Sequence, residues 1–516
     1  MDLKTRLMEV AGAMTSSDNG RNNRRGKKNR NTQNGAGNSS SDANGGRSRD
    51  VRRALTMSEE EVIRKLQGKR NGGLGNAQLH RRFIQRLAIA LHSYGSSASR
   101  TEYLIEKAAN RLDMDVNIAV FPSLIILSFP GCADEDGFHV LTVENELDVD
   151  KLGRADHLAN YVGRNETPLL LAYWRLKAIA TSPSKFGQWW WRLFGYSLSA
   201  SMSALLFFNG SLWDGLMSLG LGFIVGCFDL ISAKSTIFGS VLEFMSALVV
   251  SFVARLLSLY LGSLNLCFFS MVLAALVQLL PGLSLTLGVS EMVAKAHVTG
   301  TSRIMYALFS ALQLGFGIAV GENLVFWEAQ AATMECEQPD LSIWWSILWF
   351  AGFSVASNVL LNARLDQWSG MIVTSGVGFI VSTISGLRLD SSASSVVAAF
   401  AVGITGTAYS HFMGDLPVVM VLSGILLLVP GGIGVQGVAA MLEDDVLSGM
   451  SFVFDMMVVG LSITIGLLLA KIAFPAALFG IGRTLANNKN TLADDLLHEG
   501  ESDTDSSSDG EEDMAI

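Results

Sequence analysis

The sequence predicts a mainly α-helical polytopic membrane protein, with about ten transmembrane helices in two inverted five-helix repeats and a small α+β cytosolic domain ahead of them. Three observations carry this expectation. First, 49% of the 516 residues are hydrophobic and 16% charged, and the charges crowd into the two ends, leaving long uncharged runs between residues 193 and 475. Second, two apolar runs are interrupted in the same way: LVQLLPGLSLTLGVSEMVAKAH (276–297) at Pro281-Gly282, and GILLLVPGGIGVQG (424–437) at Pro430-Gly431-Gly432. Third, the two halves share short motifs. GLGFIV from Gly220 corresponds to GVGFIV from Gly376 at an offset of 156, Trp213-Asp214-Gly215-Leu216 to Trp368-Ser369-Gly370-Met371 at 155, and the two breaks at 149.

The ends differ from the middle in kind. Residues 1–76 are rich in Asn, Gly, Ser and Arg and nearly empty of large apolar side chains, a composition that cannot offset ordering entropy by burial. This stretch is expected to be a disordered basic tail. Its cluster of Arg21, Arg24, Arg25, Lys27, Lys28 and Arg30 suits a solvated segment holding the N-terminus in the cytosol; anionic lipid, a targeting address and nucleic acid are other uses for such a cluster. No apolar run precedes residue 83, so no cleavable signal peptide is expected. Residues 484–516 hold ten acids against one lysine, which is the whole of the formal net charge of −9, so overall acidity says nothing about a substrate. Ser502, Thr504 and Ser506 to Ser508, set among acids, read as phosphorylation targets in a second disordered tail.

Between tail and membrane, residues 77–182 alternate in a pattern that predicts an α+β domain. Apolar residues recur at helical spacing over 79–91 and again over 103–112. Segments 116–121, 124–129 and 138–143 are dense in β-branched and apolar residues and read as strands, and 152–162 and 169–180 as closing helices. His92, Arg100, Glu102, Glu106, His139 and His157 fall here, but no HExxH, GxSxG or phosphate-loop pattern arranges them. A regulatory or gating role is expected, and no enzyme. The four cysteines, Cys132, Cys227, Cys267 and Cys336, show no metal spacing, so neither a zinc site nor a disulfide framework is expected, and no cofactor.

The first membrane half, 189–328, gives spans near 192–210, 213–232, 237–259, 264–281 and 301–322. The second, 340–482, gives spans near 341–363, 367–387, 391–410, 416–442 and 451–475. Tryptophans 189–191, 344, 345 and 368 sit at span edges. An odd number of spans per half reverses the second against the first, which makes an inverted repeat. Lys234, Lys295, Arg303, Arg364 and Arg483 fall in loops on the N-terminal side, while the other side has mainly Arg388, so both termini are expected in the cytosol.

A Pro-Gly break within a bilayer frees backbone groups that protein must cover or that line a cavity, and paired breaks point to a transporter's binding site. The expected substrate-binding set is therefore Pro281, Gly282, Ser284, Thr286 and Glu291 from the first break, with Pro430, Gly431, Gly432 and Gln436 from the second. A helix restarting at each break offers free N–H groups to a carboxylate, and freed carbonyls or Glu291 would take an ammonium. Of the intramembrane charges Asp229, Glu243, Arg255, Asp455 and Lys471, the first two are the candidates for proton coupling. Glu243 and Arg255 stand 12 residues apart, ~18 Å of helix, and do not pair.

HSYGSSASRTEYLIEKAANRLDMDVNIAVFPSLIILSF (92–129), LLPGLSLTLGVSEMVAKAHVTGTSRIMYAL (279–308) and LLVPGGIGVQG resemble the threonine/serine exporter family, in that family's order of soluble domain and two sets of five spans. The long charged tails resemble a eukaryotic, pheromone-regulated branch rather than compact bacterial members. The resemblance implies ion-driven export of small neutral amino acids such as threonine and serine, with H+ the coupling ion, across the plasma membrane or an organelle membrane. The partners expected are the amino acid, the proton and the lipid bilayer, with a homo-oligomer possible and no nucleic acid. A membrane hydrolase, or a channel-like or regulatory scaffold for a different small solute, is the alternative.

Overall fold

The computed structural model describes residues 76–130, 138–143, 147–164, 167–261, 264–325, 343–413, 416–428 and 446–473. The second break, with Pro430, Gly431, Gly432 and Gln436, and both charged tails lie outside these residues.

The soluble domain has the elements its apolar pattern predicts. Helices α1 (Asn76–Ser93) and α2 (Ala98–Arg111) precede strands β1 (Asn117–Val120), β2 (Leu124–Ser128) and β3 (Phe138–Thr142), and α3 (Val149–Gly163) and α4 (Leu169–Thr181) follow. The sheet is antiparallel in the order β1-β2-β3, with Ile118 opposite Leu127 and Ile126 opposite Val140. One face of it is covered: Ile125 and Leu127 of β2 are fully buried with Phe83, Ile84, Leu87 and Leu91 of α1 and Leu104 and Ile105 of α2. Asp148 starts α3 by accepting the Lys151 N–H at 3.0 Å, and Arg100 of α2 is tied to the buried Asp156 of α3 at 2.7 Å.

The membrane part begins with α5 (Trp189–Leu206) and α6 (Leu212–Ser232), then a short α7 (Thr236–Gly239), α8 (Leu242–Tyr260), α9 (Phe268–Ala275), α10 (Gly282–Val293) and α11 (His297–Asn323). The second half has α12 (Ile343–Leu360), α13 (Leu365–Gly386), α14 (Ser391–Met413), α15 (Pro417–Leu428) and α16 (Val446–Ala473). Among the described residues, six helices are long and apolar enough to cross a membrane unaided: α6, α8, α11, α13, α14 and the apolar part of α16. The protein is therefore a multi-pass integral membrane protein. The other expected spans fall short for identifiable reasons. Four serines, Ser197, Ser199, Ser201 and Ser203, dilute the hydropathy of α5, α9 and α15 are short, and the apolar stretch of α12 is confined to Trp345–Leu360. A lipid-facing stripe is plain on α11, where Met305, Phe309, Leu312 and Phe316 are exposed at helical spacing while Ala307, Ala311, Leu314 and Ile318 are buried.

Small residues let the long helices approach closely, and they do so alike in each half. On α8 and α11, Ala247 and Ser251 face Gly317 and Gly321; on α14 and α16, Ala399 and Gly403 face Gly466 and Ala470. The first pair of positions recurs at an offset of 152 and the second at 149, close to the offsets of the sequence motifs. The buried Asp214 links two helix starts, accepting from Ser211 N at 2.7 Å in α6 and from Cys267 N at 2.9 Å before α9. Cys267 is disulfide-bonded, against the expectation of a chain without disulfides; cysteine spacing holds no information on which loops meet in space.

The close contacts are testable. A Cβ on Gly321 would run into the Leu248 carbonyl oxygen, whereas nothing lies within 4 Å of one on Gly220. Gly321→Leu is expected to destabilise the protein by about 1–3 kcal/mol or more, read as a lower thermal midpoint in detergent, and Gly220→Leu to leave it nearly unchanged.

Candidate functional site

The first break is wider than its proline. Helix α9 stops at Ala275, six residues before Pro281, and α10 starts at Gly282 with Pro281 as its N-cap residue. Ala274 O explains the early stop: it accepts from Val277 N, three residues on, at 3.3 Å and from the Ser203 hydroxyl of α5 at 3.3 Å. Eight and twelve residues give ~12 Å and ~18 Å of helix, so neither piece alone crosses the ~30 Å hydrocarbon core. Gln278 lies within the break, and its amide donates to the Ser199 hydroxyl at 3.0 Å. As the one amide in an apolar run it was visible in the sequence, but Pro281-Gly282 drew the site downstream of it.

The start of α10 sits where the two halves meet. Leu283 packs on a cluster formed by Leu361 and Ala363 after α12, Met371 of α13, and Val419, Met420 and Leu422 of α15. Pro281 offers no side-chain cap, so the leading N–H groups of α10 are without a side-chain partner from it. Thr286 is buried and donates back to Gly282 O at 3.1 Å, and Ser284 is half-buried nearby.

Glu291 belongs to a different place. It lies nine residues beyond Gly282, ~13 Å along α10, too far to meet the same small molecule as the N-terminal N–H groups. There it pairs with Arg303 of α11 at 3.1 Å and accepts Ala98 N, the first residue of α2, at 3.4 Å. Beside it Thr299 donates to Val120 O at 2.9 Å, and Val149 N donates to Leu361 O at 3.1 Å. The soluble domain thus holds the far end of α10, the start of α11 and the turn after α12, with contacts to both halves.

The two carboxylates expected to exchange protons have distinct settings. Asp229 of α6 is 2.7 Å from Arg192 of α5 and accepts from the Tyr196 hydroxyl. Glu243, in the first turn of α8, accepts from the Tyr306 hydroxyl of α11 at 3.2 Å. Neither Arg192 nor Tyr196 was named from sequence, because WWWRLFGY reads as an interfacial anchor.

The model of the family described as putative threonine/serine exporter matches residues 82–325 and 330–472. The chain belongs to the threonine/serine exporter family. Pheromone-regulated membrane protein 10 of Eremothecium gossypii is 30% identical over 358 residues, 68% of this chain and 48% of that protein. Proteins of the same name from Debaryomyces hansenii and Kluyveromyces lactis are each 29% identical, over 69% and 75% of this chain and 36% and 43% of theirs. The chain thus spans about a third to a half of the length of these relatives. No solved structure matches.

His92 gives the docking face a pH dependence. Burial pushes its pKa below the usual 6.5, the Arg303 cation pushes the same way, and hydrogen bonds to the Pro122 and Phe121 carbonyls oppose both. The folded state therefore favours neutral imidazole. Its contribution is complete well above the unfolded value of ~6.5 and is lost as pH falls from there through the lower folded value. Burial raises the pKa of Glu102, which acts in the opposite sense in a more acid range. The thermal midpoint is expected to fall between about pH 7.5 and 5.5, and His92→Gln to flatten that slope.

Proposed function

We propose that the protein is a secondary active transporter, exporting small neutral amino acids such as threonine and serine by alternating access with proton coupling. The observation that carries this reading is the first break, where the N-terminus of α10, in one half, is packed against α13 and α15 of the other. A carboxylate there would meet the leading N–H groups and the positive end of a helix dipole, and the carbonyls over 277–280 would take an ammonium. Both termini lie in the cytosol in this reading, ten spans form two inverted halves, and the second break with Pro430, Gly431, Gly432 and Gln436 completes the site. The recurrent small-residue contacts of α8 with α11 and α14 with α16 support the duplication.

Glu243 is the better of the two coupling candidates. Asp229 already has Arg192 as a cation, whereas the partner found for Glu243 is the neutral phenol of Tyr306.

Purified protein in proteoliposomes is expected to move labelled threonine, with flux that responds to a pH gradient. Pro281→Ala with Gly282→Ala, which favours helix through the break, should cut uptake at least about tenfold with insertion unaffected, a loss of ~1.4 kcal/mol or more. Glu243→Gln should retain threonine exchange and lose its response to the gradient. No threonine or serine flux in the unaltered protein would overturn the reading.

A further inference from the structure

The soluble domain is unevenly charged. Helices α2 and α3 pair their cations: Arg100 with Asp156, Lys151 with Asp148 and Arg154 with Asp150. Helices α1 and α4 carry Arg81, Arg82, Arg86, Arg175 and Lys177 and not one acid. Arg82 and Arg86 are exposed one turn apart on α1, and the Arg86 guanidinium lies 4.8 Å from the centre of the Tyr173 ring of α4. Lys177, one turn beyond Tyr173, sits 5.5 Å from the centre of the Trp174 ring. The two helices therefore join in one basic face over two largely buried aromatic rings. Arg82, Arg86 and Lys177 have no acidic partner among the described residues. Burial lowers the pKa of Lys177, and the nearby Arg86 cation pushes it the same way, as like charges crowded without a counter-charge do. Such a face gains from an anionic partner.

The chain itself supplies one, on the matching side. Residues 494–516 hold ten acids and no lysine or arginine. Helix packing shows where the chain leading to them leaves the membrane. Helix α13 starts against the soluble domain, since Val149 N donates to Leu361 O four residues before it. Along α13 and α14, Gly370 lies by Tyr409, Gly378 by Val402 and Ser385 by Ser394, so α14 runs back and ends on that side. Ala399 faces Gly466 and Gly403 faces Ala470, so α16 runs parallel to α14 and ends, at Ala473, on the soluble-domain side as well. Twenty residues, 474–493, separate it from the acids. At ~3.3 Å per residue they reach up to ~66 Å, several times the ~13 Å radius of gyration of a 100-residue domain. A tethered segment needs little intrinsic affinity, because its effective concentration is on the order of millimolar.

We propose that residues 494–516 dock on the basic face of α1 and α4, an intramolecular interface between the acidic segment and the soluble domain. Carboxylates in excess over cations favour contact without a fixed register. Phosphates on Ser502, Thr504 or Ser506 to Ser508 add negative charge and strengthen it. The interface is independent of what the membrane part transports.

Carbodiimide coupling of the full chain in neutral detergent tests it, since a carbodiimide joins a carboxylate to a lysine amine in contact with it. Mass spectrometry should find Lys177 joined to acids of 494–513. Arg82→Gln with Arg86→Gln, both at exposed positions, should cut that yield at least about fivefold, and so should salt at about 0.5 M. A labelled peptide of residues 494–516 should bind a chain ending at Ala493 at least about tenfold more tightly than the full chain, whose own segment occupies the face, and the phosphorylated peptide should bind more tightly still. If the shortened chain does not fold, coupling in the full chain decides. Lys177 joined to none of these acids, or joined as well in the double Gln variant, overturns the proposal. Coupling of the acids to Lys27 and Lys28 instead makes the N-terminal cluster their partner and overturns it too. Protection of Lys177 by nanodiscs of anionic lipid, with the peptide unbound, makes the face a lipid surface and has the same result.

Discussion

In a bilayer every backbone N–H and C=O must find a partner within the protein, and the rest of this molecule is arranged around the one described place where that rule is strained. Between Ala275 and Gly282 the chain leaves the helix at a point where α9 has run only eight residues. Side chains of a neighbour hold its two sides: Ser203 donates to the Ala274 carbonyl at the end of α9, and Ser199 accepts from the side-chain amide of Gln278. The serines that make α5 a weak membrane span by hydropathy are therefore the residues that make the break tenable. A more apolar α5 would cross lipid better and leave the break without partners.

The same logic accounts for the close packing elsewhere. A short, broken element has little apolar surface of its own to bury, so its place must be fixed by rigid neighbours. Gly317 and Gly321 against Ala247 and Ser251, and Gly466 and Ala470 against Ala399 and Gly403, bring backbones together in two tight helix pairs. Contacts of that kind resist sliding, because the first displacement brings a carbonyl oxygen against a Cα. Helix α10 is the contrast, linked to the second half through Leu283, Leu285 and Val289 against apolar side chains.

Much of this was legible in the sequence, unevenly. The soluble domain could be read element by element because strand and helix periods differ and its core residues follow them: Ile125 and Leu127 alternate, while Phe83, Leu87 and Leu91 recur by turns. Membrane character was legible from composition. The place where α9 ends was not, because nothing between Leu276 and Leu280 disfavours helix strongly; a hydroxyl seventy-one residues earlier in the chain ends it. The contacts of Glu291 were hidden for a related reason. Sequence distance from Pro281 is short, but nine helical residues carry the carboxylate to the soluble domain. Arg192 and Tyr196 carried no signal in one sequence, since each is significant only for what lies against it.

Glu291 joins the domain to the break. Ser97, the N-cap residue of α2, makes no side-chain cap, yet Ala98 N is met by a carboxylate from another helix. The residue that would cap α2 in an isolated domain is replaced by one that works only when the domain is docked. The same carboxylate is held by Arg303, so a shift of α10 along its axis would disturb an ion pair and a helix cap together. Val149 N on Leu361 O adds a tie to the other half. A movement of one half against the other must therefore either carry the soluble domain with it or break one of these contacts. The domain is joined to the far end of α10 by bonded contacts rather than by chain connectivity alone, and α10 begins at the break.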